Sequence, residues 1–335
     1  QAFWAYSTGV YGDAAIRDLF MNTAKYGLEP AFALTLGTTT DSLSVQWQRS
    51  IRNYYGQWVV EGTKKDKDGK YETRTALKDF NEKLPGKQLI SDKNSGSINI
   101  GPVVSPNGKY VTFLSEKNLF SIDLFLADAK TGKIIRKISS TSKDGHIDQF
   151  NAIESAGTWA PDNERFAFDV YERGRSVLII KNALKGRTVG RIDMPEVPAF
   201  SNPAWSPDGK TIVVTGLVNG QTDLYAYDIK TKKVRRLTND VYAEILPSWN
   251  KDGSALAFST DRLSMQRGRT NGVLTMNLAI MDMTTGQSED IDIFQGADNL
   301  NPQFDKGGNL LFLSNRDGFR NLYRYDQTTK KMYQM

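Results

Sequence analysis

One pattern restricts this fold more than any other feature. An apolar or aromatic residue, followed within two to four positions by a turn signal, recurs five times from residue 100 onward. The copies are residues 102–109 (PVVSPNGK), 157–164 (GTWAPDNE), 203–210 (PAWSPDGK), 247–254 (PSWNKDGS) and 302–309 (PQFDKGGN). Aligned on Val104, Trp159, Trp205, Trp249 and Phe304, they are 55, 46, 44 and 55 residues apart. After each turn comes an apolar run: 110–114, 165–170, 211–215, 255–260 and 310–314. A third run follows at 119–127, 176–182, 223–228, 277–282 and 321–326. The best-formed copy, residues 202–238, holds four short β-type runs with a turn between each pair. Four strands per ~40–50 residues, repeated, is the signature of a β-propeller blade.

The chemistry of the repeat explains its residues. In Pro-Asp-Gly, proline presets φ and glycine accepts φ > 0, which makes a tight turn. The strand after it is expected to be buried on both faces between blades, hence continuously apolar. The third strand, half buried, alternates. A blade can bury its faces only against its neighbours. The Asp and Lys residues of these turns are therefore structural first, and none is nominated for catalysis.

Residues 1–58 differ in kind. Ile16, Leu19, Phe20 and Ala24 are close to helical spacing, with Asp13 as N-cap and Gly27 as stop. A second helix is expected over 29–36, with Pro30 near its start and Gly37 after its end. A third is capped by Thr39 or Thr40 and carries Leu43, Trp47, Ile51 and Tyr54 in one stripe. Trp4, Phe20, Phe32 and Trp47 read as core of this small bundle. Residues 59–96 read as a connector and first partial blade, with a hairpin of 58–61 and 71–76 and an outer strand at 87–91. The propeller then occupies 97–335. Five blades are clear and six are expected when the ring is closed.

Composition excludes several chemistries. The chain has no cysteine and one histidine, His146, so it supplies no disulfide, no thiolate site and no two-histidine zinc site of its own. The net charge of +5 is interspersed, and the densest basic run, 64–67, is interrupted by Asp66, so no nucleic-acid footprint is expected. No run approaches the ~18 apolar residues of a spanning helix. There is no D-x-D-x-D-G calcium loop, and neither metal nor cofactor is expected.

The repeats resemble the TolB-type propeller repeat, whose hallmark is an S-P-D-G-K turn flanked by strands. Ser206-Pro207-Asp208-Gly209-Lys210 matches it in full and Ser105-Pro106-Asn107-Gly108-Lys109 nearly so; residues 250–253 and 305–308 keep only the turn. The first 58 residues, through Tyr6-Ser7-Thr8-Gly9, Tyr26-Gly27, Leu36-Gly37 and Gln46-Trp47, resemble the helical C-terminal end of gluzincin-type (peptidase MA-like) domains. Some envelope proteins of Bacteroidota-like bacteria join such a domain to TolB-like repeats. That resemblance implies an H-E-x-x-H site upstream of Gln1, and both ends of the chain read as cut. It also implies the bacterial cell envelope, periplasmic or outer-membrane associated.

Fold alone does not transfer activity. The first functional expectation is a non-catalytic scaffold that binds a polypeptide or envelope partner through the propeller mouth. The loops leading into the innermost strands (97–101, 151–156, 195–202, 240–246 and 296–301) are expected to gather there, with Asn99, Asn151, Glu154, Asn202, Glu244 and Asn301 as partner-binding residues. The alternative is the substrate-gating propeller of a zinc metallopeptidase whose active site lies upstream. A serine-peptidase propeller of the prolyl oligopeptidase type would need a G-x-S-x-G elbow, which this chain lacks.

Overall fold

The computed structural model describes residues 2–56, 59–65, 71–77, 87–118, 121–140, 149–150, 157–268 and 274–335. The chain divides into two compact units: Gln1–Pro85 with Arg267–Thr275 and Arg316–Phe319, and Gly86–Gln266 with Met276–Asn315 and Arg320–Met335.

The first unit carries four helices: α1 (Ala2–Tyr11), α2 (Asp13–Tyr26), α3 (Leu28–Leu36) and α4 (Thr40–Tyr55). The last three lie where helical spacing places them; α1 was not foreseen. Gly12, not Asp13, occupies the N-cap position of α2. Thr39 caps α4, its hydroxyl oxygen accepting from Ser42 N at 3.1 Å. Leu19, Ala31, Phe32, Leu36 and Leu43 form the core. Of the aromatics assigned to it, Phe32 is buried, but Trp4 and Phe20 are exposed. The α4 stripe is buried only at Leu43 and opens outward at Ile51 and Tyr54. The expected hairpin is present as β1 (Val59–Lys65) and β2 (Tyr71–Leu77), paired from Val59↔Leu77 to Lys65↔Tyr71. It is a two-stranded sheet of its own, not part of a blade.

The second unit consists, among the described residues, of five propeller blades. The first is β3 (Asn99–Val104), β4 (Tyr110–Asn118), β5 (Ser121–Asp128) and β6 (Ile134–Ser139). In the second the inner strand is split into β7 (Gln149–Phe150) and β8 (Thr158–Trp159), both on β9 (Arg165–Glu172); β10 (Arg175–Asn182) and β11 (Thr188–Ile192) complete it. The third is β12 (Ala199–Trp205), β13 (Thr211–Val218), β14 (Gln221–Asp228) and β15 (Val234–Arg236). The fourth is β16 (Glu244–Trp249), β17 (Ala255–Thr260), β18 (Asn277–Asp282) and β19 (Ser288–Ile291), with the short α5 (Arg262–Arg267) after β17. The fifth is β20 (Asn299–Phe304), β21 (Leu310–Ser314), β22 (Asn321–Tyr325) and β23 (Met332–Gln334).

The apolar runs after the turns bury themselves between successive blades. Leu114, Leu124 and Leu126 of the first blade meet Trp159, Phe166 and Phe168 of the second. Leu178 and Ile180 meet Trp205 and Ile212. Val213 and Leu224 meet Leu256 and Phe258, and Ala257 and Leu278 meet Leu310 and Phe312. At about 25 cal/mol per Å² of apolar surface, these four interfaces are the principal stabilising term. The fifth blade departs from the pattern. Leu311 and Leu313 of β21 are half-buried and Leu322 is exposed, so its outward face is only partly covered.

Two expectations need correction here. Among the described residues of 59–96, β1 and β2 pair only with each other and no sixth blade is formed, and all four strands of the fifth blade come from consecutive C-terminal sequence. Nor is 87–91 an outer strand. Its polar groups are taken by Asn94, which accepts from Ser91 N and donates to Leu89 O, both at 2.8 Å. Ile90 packs on Val111, Phe113 and Phe125 of the first blade. The approach is close: a Cβ on Gly132 would fall 2.1 Å from Leu89 O.

Candidate functional site: the propeller channel

The turns fix where the inner strands end. In the third blade the Ser206 hydroxyl donates to Asp208 at 2.6 Å, and Asp208 Oδ1 accepts from Lys210 N at 3.0 Å. Ser206 Oγ in turn accepts from Thr211 N at 2.9 Å. The first blade repeats this wiring with Ser105, Asn107, Lys109 and Tyr110. The hydrogen bonds from Ser206 and then the Lys210 backbone hold the Asp208 carboxyl below its ordinary range. Asp162, Asp252 and Asp305 are likewise consumed by backbone N–H groups of their own turns. The acids that stand out in the sequence are thus occupied within the turns.

At the other end, each continuous inner strand carries a bulge at the same place. Pairing shifts register between Ile100 and Val103, Ser201 and Ala204, Ile245 and Ser248, and Leu300 and Gln303. The residue inside each bulge is left-handed: Gly101 (φ 60°), Asn202 (51°), Leu246 (57°) and Asn301 (55°). Each is followed by a proline, at 102, 203, 247 and 302. A bulge re-aims the side chains around it and relieves the chain of one ladder bond. The freed N–H groups of Leu246 and Asn301 are taken by the preceding blade, Thr215 Oγ1 and Ser259 Oγ respectively, both at 3.2 Å.

The inner strands of all five blades line one cavity of about 1040 Å³. Its wall includes Pro102, Val103, Trp159, Asn202, Trp205, Leu246, Ser248, Trp249, Lys251, Asn301, Gln303 and Arg320. The three indoles are anchored. Trp159 Nε1 donates to Val103 O and Trp249 Nε1 to Ala204 O, each 3.1 Å across a blade boundary, and Trp205 Nε1 donates to Gly209 O at 3.2 Å. With their N–H groups satisfied, the tryptophans pack mainly into the blade interfaces, Trp159 and Trp205 being buried there, and border the channel with their remaining apolar edges.

The six residues singled out from sequence separate into three groups. Asn202 and Asn301 lie on the channel wall at equivalent bulge positions. Asn99 and Glu244 do not line it; they lie two residues earlier, opposite Ser115 and Thr260, and their counterpart in the fifth blade is Asn299, opposite Ser314. Asn99 and Asn299 hold their leading loops, donating to Gly96 O at 2.6 Å and to Ile293 O and Ala297 O at 3.1 and 3.2 Å. Asn151 and Glu154, like His146, fall outside the described residues.

Glu244 is fully buried. Burial first, and the nearby Asp240 charge second, push its carboxyl up to about 7. Sequence reasoning missed the wall residues Leu246, Gln303, Lys251 and Arg320, and the role of the tryptophans. One signal was available: a proline two residues before the anchor in four of the five copies, the anchors there being Val104, Trp205, Trp249 and Phe304. Among the described residues, no group of three or more His, Cys, Asp or Glu is placed to hold a metal ion, and no helix is long and apolar enough to cross a membrane.

Comparison with known proteins agrees with this architecture. A family model described as the TolB beta propeller domain matches residues 145–268. Among curated proteins, the Tol-Pal system protein TolB of Ruthia magnifica subsp. Calyptogena magnifica is 27% identical over 168 residues, covering 48% of this chain and 39% of that protein. The chain spans between 26% and 55% of the length of the first curated relatives it matches. Among solved structures, TolB from Acinetobacter baumannii superposes with a TM-score of 0.58 at 16% identity, over 87% of this chain and 68% of that one. A putative TolB from Agrobacterium tumefaciens gives 0.54 at 19% identity, over 72% and 81%. The fold is therefore a five-bladed β-propeller resembling TolB, preceded by a small helical segment.

Proposed function

We propose that this chain is a non-catalytic interaction module of the bacterial cell envelope, periplasmic or outer-membrane associated, that takes a polypeptide partner into the propeller channel. The observation that carries the reading is the channel wall itself. Inner strands of five blades converge on a cavity of about 1040 Å³, with three anchored indoles and a set of amide side chains along it. A concave, mainly apolar wall edged by rigidly held indoles, with a few polar groups, suits a polypeptide partner. Curated relatives named for the Tol-Pal system support an envelope setting and a protein partner.

The test is positional. A photo-crosslinking residue placed at Gln303, on the wall, is expected to capture a stoichiometric envelope polypeptide in cells. The same residue placed at Tyr333, on the outermost strand, is expected to capture none. Equal capture at both positions, or none at either, refutes the reading. Fractionation of the same cells checks the compartment, and a cytosolic signal counts against it.

A further inference from the structure

The channel wall has two chemically different sectors. Along the first three blades it is mainly apolar, with Ile100, Pro102, Val103, Trp159 and Trp205, the two indole N–H groups already donated to carbonyls. Along the fourth and fifth blades, beside Leu246, Trp249 and Leu300, it carries a polar set whose amide acceptors already take hydrogen bonds. Ser248 Oγ donates to Gln303 Oε1 at 3.3 Å, and Gln303 Nε2 donates to Asn301 Oδ1 at 3.2 Å. This relay leaves the Asn301 amide N–H groups as its open end. Lys251, in the turn after β16, and Arg320, just before β22, line the same cavity, and neither has an ion-pair partner among the described residues. The neighbouring carboxylates bond mainly within their own turns and do not line the cavity. Asp252 accepts from Ser254 N and Oγ, and Asp305 accepts from Gly307 N, Asn309 N and Arg324 Nε. No aspartate or glutamate is among the described residues lining the cavity.

A wall that, among the described residues, has unspent donors, two cations without an ion pair and no carboxylate is complementary to an anion. We propose that the channel receives an extended polypeptide segment bearing acidic side chains, its carboxylates on Lys251, Asn301 and Arg320 and its apolar side chains against the first three blades. This rests on the channel being the binding site. The charge pairs select and orient the segment, and the apolar contacts hold it.

The probes are three fluorescein-labelled ten-residue peptides that alternate leucine with glutamate, glutamine or lysine. Binding to the intact chain is followed by anisotropy and by the emission of the channel tryptophans. The glutamate peptide is expected to bind at least tenfold more tightly than the glutamine peptide, with the lysine peptide weakest, and the preference is expected to shrink as salt rises. The K251E/R320E double variant is expected to reverse the order. K251Q/R320Q, a milder change, is expected to abolish it, with folding of both checked by circular dichroism. If the glutamine peptide binds as tightly as the glutamate peptide, or the charge variants leave the order unchanged, the acidic-partner proposal is overturned while the channel reading stands. If no peptide binds, the proposal is overturned, and the crosslinking from Gln303 decides the channel reading separately.

Discussion

Arg262 Nη2 stands 2.8 Å from Asp240 Oδ2 but 3.5 Å from Glu244 Oε1, so the buried glutamate receives the weaker share of that guanidinium, with only a long bond from Thr260 Oγ1 at 3.5 Å beside it. Asp290 claims the same cation from its other side at 3.8 Å. The Thr238 hydroxyl already donates to Asp223, and Glu244 Oε2 has no hydrogen-bond partner. An ionised carboxylate is poorly served there. Burial and then the Asp240 charge accordingly raise its pKa to about 7.

The sign follows directly. The folded protein holds the Glu244 proton up to about pH 7, whereas the unfolded chain releases it near the ordinary glutamate value of about 4.3. The stabilising contribution of the proton is therefore complete below the unfolded value and is lost as pH rises through about 7. The total is about 4 kcal/mol. Glu244→Gln, which cannot ionise, is expected to flatten this part of the profile. Thermal unfolding of both proteins from pH 5 to 8 checks it, and parallel profiles would show that Glu244 is not the titrating group.

The turns make a second prediction. Asp208→Ala removes the acceptor of both the Lys210 N–H and the Ser206 hydroxyl, and is expected to cost about 1 kcal/mol. Asp208→Asn is expected to cost much less, because Asn107 fills the same role in the first blade through Ser105 and Lys109. Urea unfolding of the two variants side by side separates hydrogen bonding from charge. Equal losses would mean that the carboxylate charge matters here.

These two sites show what could be read without coordinates. The turn at Ser206–Lys210 was legible because its chemistry is local: residues within five positions satisfy one another. The five blades followed from its repetition. Glu244 could be picked out as polar and next to a channel loop, but its burial depends on Asp223 and Thr238 of the preceding blade and on Arg262 and Asp290 of its own. Nothing within its own segment announces those partners. The same limit applies to Phe20, which has helical spacing for a core position yet is exposed. Periodicity shows that a face is apolar, not what covers it. The two cations on the channel wall were hidden for a related reason. Lys251 and Arg320 are unremarkable in a chain with 43 basic residues, and only the folded ring brings them to one cavity while Asp252 and Asp305 stay off its wall.

Leu246 makes the third prediction. It holds φ 57° inside its bulge, where the equivalent residues are Gly101, Asn202 and Asn301. A left-handed conformation costs a residue with a full side chain about 1 kcal/mol, and asparagine tolerates it best after glycine. The Leu246 N–H already has its acceptor in Thr215, a bond that a change of side chain leaves in place. Leu246→Asn is therefore expected to stabilise the propeller by up to about 1 kcal/mol, and the converse change, Asn301→Leu, to destabilise it by a similar amount. Denaturant midpoints of the two variants check the pair. A loss of stability in Leu246→Asn would show that the packing of the leucine outweighs the relief of its backbone.

Trp249 tests whether the indole N–H groups stitch the blades or merely accompany them. Its Nε1 donates across the blade boundary to Ala204 O at 3.1 Å, and the same bond links Trp159 to Val103 between the first two blades. The fifth blade has Phe304 at this position, so a ring without the donor is compatible with the fold. Trp249→Phe keeps most of the apolar surface but leaves the Ala204 carbonyl without this donor. The expected cost is about 1–2 kcal/mol for the lost hydrogen bond and the under-satisfied acceptor. Because the bond joins two blades, the variant should also speed amide exchange on both sides of the boundary, in β12 and in β16. Faster exchange confined to β16 would mean that the tryptophan acts only by filling space within its own blade.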